Sequence, residues 1–449
     1  METSPCNSHL SRIGFHYFPD SMHYRESDLS IWLPKLKALG SSWLIIQSPI
    51  DRAIPEPFIC GLCQAGIEPI IQFDLSLTNP PAPADLRTLL ESYARWGARM
   101  TLLFDRPNTR SAWPSAGWVQ QDLVERFLDR YIPLAEMTLQ AGLKPVFPAL
   151  EPGGNYWDLA FLRTLLESLE RRQKNQLLDN LVLSAYSWTQ GHSLNWGAGG
   201  PERWPEARPY FTPADEQDHR GFRIFDWYEA IAKARLGKEC PIILLQAGIS
   251  ADPLKTKGSE EFISQHADIN LSIARLMGGD YANDLTDPQN LLEPISQTVL
   301  ACNFWLLTDE STSQFYPQAW YQDEGQQLPA VKIMNDWLAQ PKHTEHHSIP
   351  LDGDEDLQDI LPIHHYLLLP TFNGSVADWH LNMIHPFVKK YLPTVGFSIE
   401  EAAMAKRVTV IGDEQAFPED TLEKMRQNGS LVERIDGVGT SIATQLSER

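Results

Sequence analysis

The sequence predicts an α/β fold, a (β/α)8 TIM barrel followed by a small C-terminal α/β domain. Short apolar runs rich in branched residues alternate with longer amphipathic patterns, which is typical of parallel sheets covered by helices. Eight such runs fall before residue 340. A doubly wound sheet shares this alternation, but no glycine-rich turn follows the first run, which disfavours a dinucleotide-binding version.

The individual elements follow from these patterns. The predicted strands are 12–18, 42–48, 68–74, 99–105, 144–150, 180–186, 241–247 and 303–309. The predicted helices between and after them are 29–39, 84–96, 119–141, 156–173, 223–236, 259–277 and 328–340. The longest irregular stretch, 187–221, is expected to be a loop after strand six of the barrel.

A second domain is indicated by a change in composition. Residues 341–361 are polar and predict a linker between a barrel at 1–340 and an α/β unit at 362–449. The strand patterns of that unit are 364–370, 407–412 and 430–437, and its helical patterns are 375–391, 398–406 and 418–429.

Bulk composition excludes several classes of function. The chain has 37 basic and 58 acidic residues, a net charge of −21, so this acidic protein would repel nucleic acid. No apolar run is long enough for membrane insertion, and no secretory signal is visible, so a cytoplasmic location is expected. Five cysteines make no disulfide framework, and Cys60 and Cys63 lie in a helical pattern as half-buried thiols.

Polar side chains are concentrated where the predicted strands end, which is where a parallel barrel carries its functional groups. These are His16, Asp20, Gln47, Asp74, Asp105, Arg106, Glu151, Tyr186, Gln246, Asp309 and Glu310. Aromatic residues populate the same loops, and aromatic faces beside amides and carboxylates suit sugar rings. Carbohydrate is therefore the predicted ligand, with these residues as its binding set: Asp105, Arg106, Tyr186, Trp188, Trp196, Gln246, Trp305 and Trp320.

Two strand ends carry a resemblance to a known family. Residues 12–340 resemble the barrel of clan A glycoside hydrolases, whose fourth strand ends in an Asn-Glu-Pro motif and whose seventh ends in the nucleophilic Glu. This sequence has FDRPN at 104–108 and LLQAGIS at 244–250. The resemblance implies that Arg106 stands at the acid/base position and Gln246 at the nucleophile position.

These two substitutions lead to two hypotheses. Neither a guanidinium nor an amide can act as the acid or the nucleophile of a retaining glycosidase, so no catalytic residue is expected at Arg106 or Gln246. The first hypothesis is a pseudoenzyme that binds a glycan or serves as a component of a protein assembly. The second is an active glycoside hydrolase with relocated carboxylates, Glu151 with Asp309 or Glu310.

The partner of Arg106 can also be predicted. Adjacent residues of a strand point to opposite faces, so Asp105 and Arg106 are expected to diverge. Glu151, at the end of the neighbouring strand, is then the expected partner of the guanidinium.

The sequence calls for no cofactor and no metal, since the histidines and acids with suitable chemistry, His16, Asp74 and His192, are isolated. The C-terminal unit resembles one copy of the type 2 cell-wall-binding repeat of bacterial proteins, on Val408 to Gly412, Val432 to Gly437 and Ile442 to Thr444. A small module that only packs or dimerises is the alternative. If the ligand is an external glycan, cell-surface association by a non-classical route is implied.

Overall fold

The structure is a computed structural model that describes residues 11–249, 260–280, 292–340, 363–370, 384, 387–388, 393–414, 416–427 and 430–435. The chain divides into two compact units, Met1–His343 and Thr344–Arg449. In these ranges no helix combines the length and the apolarity that crossing a membrane would require.

The first unit is built around eight parallel strands. They are β1 (Ile13–His16), β2 (Trp43–Gln47), β3 (Glu68–Phe73), β4 (Met100–Leu103), β5 (Lys144–Val146), β6 (Leu183–Trp188), β7 (Ile242–Gly248) and β8 (Val299–Phe304). Their order in the sheet is β5-β4-β3-β2-β1-β8-β7-β6. Val146 bridges in parallel to Val182, just before β6, so the sheet closes into the predicted barrel.

Helices cover the outside of the barrel. They are α1 (Glu26–Ala38), α2 (Glu56–Gln64), α3 (Pro83–Arg95), α4 (Ser115–Trp118), α5 (Leu123–Gln140), α6 (Asp158–Arg171), α7 (Asn175–Asp179), α8 (Gly200–Arg203), α9 (Ile224–Leu236), α10 (Glu260–Met277) and α11 (Pro329–Ala339). The short helix α8 interrupts the long loop that follows β6.

The strands are apolar throughout because both of their faces are buried. Ile45 and Ile70 belong to a cluster made of strand and loop residues alone, which fills the barrel. Leu44 and Ile46, one residue to either side of Ile45, belong to the cluster that also contains the helix residues. This division follows the two-residue period of a strand and explains the continuous apolar runs.

The predicted position of strand eight is wrong. The strand is β8, which ends at Phe304 rather than extending over 303–309, and it pairs with β1 through Cys302, Asn303 and Phe304. The apolar run continues past the strand because Leu306 fills the barrel and Leu307 packs in the outer layer. The residues that follow the strand are therefore apolar because they pack in the two clusters, and not because they pair with another strand.

Helix α5 also begins later than the pattern at 119–141 predicts. Asp122, immediately before it, has a left-handed backbone with a φ of 60°, which is incompatible with a continuing right-handed helix. The residues before it form the separate short helix α4 and a turn.

The second unit is a parallel four-stranded sheet, so the predicted α/β class is confirmed. Its strands are β9 (Ile363–Leu368), β10 (Thr394–Gly396), β11 (Ala405–Ile411) and β12 (Leu431–Ile435), in the order β10-β9-β11-β12. Its helices are α12 (Ile399–Ala402) and α13 (Glu419–Gln427). The helix predicted at 398–406 is shorter, because Ala405 already belongs to β11.

Several predictions for this region fall on residues that are not described. The linker at 341–361 lies outside the described residues, and so does most of the helix at 375–391. Of the three segments that carry the resemblance to a cell-wall-binding repeat, Val408 to Gly412 is described, whereas residues 436–437 of the second and all of Ile442 to Thr444 are likewise outside.

Candidate functional site

The carboxyl end of the barrel, which we call the mouth, carries a polar layer above the apolar interior. Gln72 follows Ile70 on the inward face of β3, and Tyr186 belongs to the interior cluster on β6. Gln246 on β7 is the register partner of Tyr186, and partners in a ladder share a face. Tyr186 and Gln246, both predicted from the sequence, are thus brought together here, with Gln72, which was not predicted, on the same inward side.

The chain leaves β4 by an irregular path that sets the direction of its polar side chains. Phe104 and Arg106 both have left-handed backbones, with φ values of 67° and 41°. Phe104 packs in the outer layer, where strand alternation would have placed it in the interior. Such conformations cost about 1–3 kcal/mol each and persist only where the surrounding structure holds them.

As a result, Asp105 and Arg106 do not diverge, and that prediction is wrong. Arg106 Nε lies 3.3 Å from Asp105 Oδ2, while Arg106 Nη1 lies 3.3 Å from Glu151 Oε2. The expected contact with Glu151 is therefore present, together with one to Asp105 that alternation excluded. One guanidinium faces two carboxylates.

Tyr186 completes this cluster. Its hydroxyl donates a 2.6 Å hydrogen bond to Asp105 Oδ1, and the guanidinium carbon of Arg106 lies 4.6 Å from the centre of its ring. The phenol is 2% exposed, whereas the side chains of Asp105 and Arg106 are 30% and 39% exposed. Arg106 is held by charge on one side and by an aromatic face on the other.

Burial governs the protonation of this cluster. It raises the pKa of Asp105 against the opposing influence of Arg106 and Tyr186, and it raises the pKa of Glu151 against that of Arg106. Burial also disfavours the charge on Arg106, but Tyr186, Asp105 and Glu151 outweigh it, so the pKa of the guanidinium rises. Arg106 is a permanent cation and cannot exchange protons near neutral pH.

Asn108 fixes the loop that carries Glu151. Its Nδ2 donates to the carbonyl oxygens of Glu151 at 2.9 Å and Tyr156 at 3.0 Å, and its Oδ1 accepts from the Glu151 N–H at 2.9 Å. This side chain is fully buried. Asn108 was not predicted as a site residue. Its position in the FDRPN motif, two residues after Arg106, could have identified it.

Several buried polar atoms around the mouth have no hydrogen-bond partner among the described residues. Gln246 is 5% exposed, and its Oε1 has no hydrogen-bond partner among the described residues. The same holds, within those ranges, for Gln72 Oε1, Trp305 Nε1 and Asp309 Oδ2. Buried polar atoms are normally hydrogen-bonded, so these atoms are suited to a polar ligand or to water.

His16 lies close to β7 and to Trp305 after β8, and its imidazole ring is neutral. Burial lowers its pKa to about 3, and its Nε2 donates a 2.8 Å hydrogen bond to the Leu245 carbonyl oxygen. The ring packs edge-on to Trp305, with 5.1 Å between ring centres. His16 therefore supports Trp305 and carries no charge.

The predicted aromatic residues occupy different environments. Trp188 and Trp305 belong to the interior cluster near the mouth. Trp196, in the loop after β6, stacks on His192 and donates its indole N–H to Asp218 at 3.2 Å. Trp320 is 0% exposed and packs on Phe15 and Phe304, so its predicted contact with a ligand is wrong: it is a core residue of the outer layer.

The carboxylates of the relocated-hydrolase hypothesis lie at the ends of two different strands. Glu151 follows β5 and is engaged by Arg106, whereas Asp309 and Glu310 follow β8. Glu310 is largely exposed and lies 3.6 Å from His23. Within the described ranges, no group of three histidine, cysteine or acidic residues could hold a metal ion.

Comparison with known proteins finds solved structures that resemble this chain in fold. No family model matches the chain, and no curated protein matches it. A β-xylosidase from Caulobacter crescentus is 11% identical with a TM-score of 0.45, over 74% of this chain and 71% of that one. A β-galactosidase from the psychrophilic Marinomonas ef1 is 10% identical with a TM-score of 0.43, over 94% and 75%.

An enzyme of another kind matches at a comparable level. A D-psicose 3-epimerase from Clostridium cellulolyticum H10 is 10% identical with a TM-score of 0.40, over 73% of this chain and 96% of that one. Likeness at this level concerns the barrel fold, and it assigns no activity to this chain.

Proposed function

We propose that the barrel binds a carbohydrate at its mouth and does not hydrolyse it by the retaining mechanism. One observation carries the proposal: Arg106, which the sequence resemblance assigns to the acid/base position, has its guanidinium 3.3 Å from the carboxylates of both Asp105 and Glu151. The acids nearest the expected reaction centre are thus occupied by a fixed positive charge.

The chemistry of the retaining reaction explains the proposed loss. It needs two carboxyl groups about 5 Å apart, one to donate a proton and one to attack the anomeric carbon. Arg106 cannot donate a proton near neutral pH, and Gln246 is a neutral amide that cannot form a glycosyl ester. A change at either position alone would remove several orders of magnitude in rate.

Binding is supported by the polar atoms that remain. Gln72 and Gln246 present buried amide oxygens that have no acceptor role elsewhere in the described structure. Trp188 and Trp305 offer apolar ring surface nearby, and Arg106 and Asp105 offer charged groups. Amides, charged groups and aromatic faces are the groups that together suit the binding of hydroxyl-rich sugar rings.

The experiment measures binding and hydrolysis separately. Calorimetry with cello-, xylo-, manno- and galacto-oligosaccharides should show binding by the wild-type protein, and Gln246→Leu should weaken it about tenfold or more. Gln140→Leu, which changes an exposed residue at the end of α5, is the matched control and should bind normally. Aryl-glycosides should remain uncleaved.

Two results would overturn the proposal. Failure of all these saccharides to bind a folded protein would remove the binding function. Hydrolysis by the wild-type protein that Glu151→Gln abolishes would instead establish the relocated hydrolase.

A further inference from the structure

We infer that the ligand is an acidic saccharide, with a carboxylate or sulfate group held between Arg126 and Arg130 in a cleft beside the mouth. This inference rests on the proposed carbohydrate-binding function and specifies the class of sugar. The cleft has a volume of about 400 Å³ and is lined by Trp113, Pro114, Gln120, Arg126, Asp129 and Arg130, among others.

The two arginines flank one tryptophan. Arg126 and Arg130 are one turn apart on α5, and the guanidinium carbon of each lies 5.1 Å from the centre of the Trp113 ring. The indole is nearly buried, and its N–H donates a 2.7 Å hydrogen bond to the Pro107 carbonyl oxygen. The ring therefore holds both cations at the rim of one cleft.

Each guanidinium is also anchored through the backbone. Arg126 donates Nε to the carbonyl oxygen of Gln121 at 3.0 Å and Nη2 to that of Gln120 at 3.1 Å. Arg130 donates Nη1 to the carbonyl oxygen of Leu77. Arginine has five N–H donors, so several remain for a ligand on each side chain. Anchoring reduces the entropy lost when those donors bind.

The protein balances the charge of the cleft only in part, through the attraction between Asp129 and Arg130. Among the described residues neither Arg126 nor Arg130 forms an ion pair with a carboxylate, although the chain carries a net charge of −21. Asp129 lines the same cleft, but its Oδ1 lies 2.8 Å from Arg172 Nη1. Like charges one turn apart destabilise a helix, and a bound anion would relieve this repulsion.

The cleft is connected to the mouth through the chain. Pro107, which accepts the Trp113 hydrogen bond, directly follows Arg106, and the Thr109 N–H donates to the Arg106 carbonyl oxygen at 3.0 Å. The same loop thus carries the mouth cation and the cleft. Planar guanidinium groups match carboxylate and sulfate oxygens in paired hydrogen bonds, so a saccharide with such a group fits the cleft while its neutral part reaches the mouth.

The test compares acidic sugars with their neutral counterparts. Calorimetry would use trigalacturonate, trimannuronate and triglucuronate, each beside the trisaccharide obtained by reducing its carboxyl groups. At least one acid should bind about tenfold tighter than its neutral counterpart, and the preference should fall as salt rises. Arg126→Gln and Arg130→Gln should remove it while neutral binding persists, and Arg126→Lys should retain part of it.

The controls separate this inference from the proposed function. Arg163→Gln removes an exposed charge from α6 and should leave the preference intact. Equal binding of acids and neutral sugars would overturn the inference alone. Tight binding of sodium sulfate without any preference for acidic sugars would overturn it as well, since the cleft would then take free anions. Absence of all saccharide binding would overturn the inference and the proposed function together.

Discussion

The two ends of the barrel each place an arginine 3.3 Å from a glutamate, yet the two contacts differ in kind. At the amino end Arg99 Nε faces Glu68 Oε2, and at the mouth Arg106 Nη1 faces Glu151 Oε2. Arg99 is largely exposed, whereas Arg106 is held between carboxylates and the Tyr186 ring. Equal distances therefore describe one loose contact and one fixed cluster.

The two contacts differ in the groups that surround the glutamate. Glu68 is 8% exposed, its Oε1 has no partner among the described residues, and burial raises its pKa to about 7 despite Arg99. At the mouth a second carboxylate, a phenol and an amide clamp surround the pair. Glu68 can therefore be protonated near neutral pH, while at the mouth the guanidinium of Arg106 keeps its charge.

The largest expected effect comes from rebuilding the missing acids at the mouth. The triple variant Asp105→Asn, Arg106→Glu, Gln246→Glu should cleave aryl-glycosides about 10³-fold faster than the wild-type protein, because it restores both carboxyl groups. Asp105→Asn is included because its carboxylate would otherwise face the new Glu without a counter-charge.

The double variant Arg106→Glu, Gln246→Glu is the matched comparison and should recover less activity. The measurement is release of the aryl group at neutral pH. A triple variant that folds and binds sugar yet remains inert would mean that the rest of the mouth no longer supports the reaction.

A smaller effect is expected from loosening the Glu151 loop. Asn108→Ala removes three hydrogen bonds of 2.9–3.0 Å. Because each hydrogen bond contributes about 1 kcal/mol, the free energy of unfolding should fall by about 3 kcal/mol. Urea denaturation measures this value. Asn155→Ala in the same loop loses one bond, to the Arg110 N–H, and should cost about 1 kcal/mol or less. Equal losses in the two variants would contradict the assigned clamp.

The smallest effect concerns the amino end and depends on pH. The pKa of Glu68 rises from 4.5 to about 7 on folding, a change worth about 3 kcal/mol at most. Because the folded pKa is raised, this contribution is fully present below pH 4.5 and is lost as pH rises through 7.

Glu68→Gln should therefore raise the free energy of unfolding by about 1–2 kcal/mol at pH 8 and change it little at pH 4, since the contact with Arg99 is also lost. Urea denaturation at both pH values tests this, with the exposed Glu91→Gln as the control. A variant that is destabilised at pH 8 would show that Glu68 is ionised and stabilising, contrary to this prediction.

The sequence determined the barrel, because strands buried on both faces must be apolar and must alternate with amphipathic helices. It also determined that Arg106 and Gln246 stand at strand ends and that Glu151 lies within reach of Arg106. Local chemistry and short-range periodicity are sufficient for these conclusions.

Only the tertiary structure decided how the mouth is assembled. Strand periodicity ceases to apply at Phe104, where a left-handed residue turns Asp105 toward the same cluster as Arg106. Asn108 acquires its role from backbone groups some 43 residues away, and Trp320 loses its predicted role because two phenylalanines from other strands enclose it. Contacts between distant segments set these outcomes, and no local pattern encodes them.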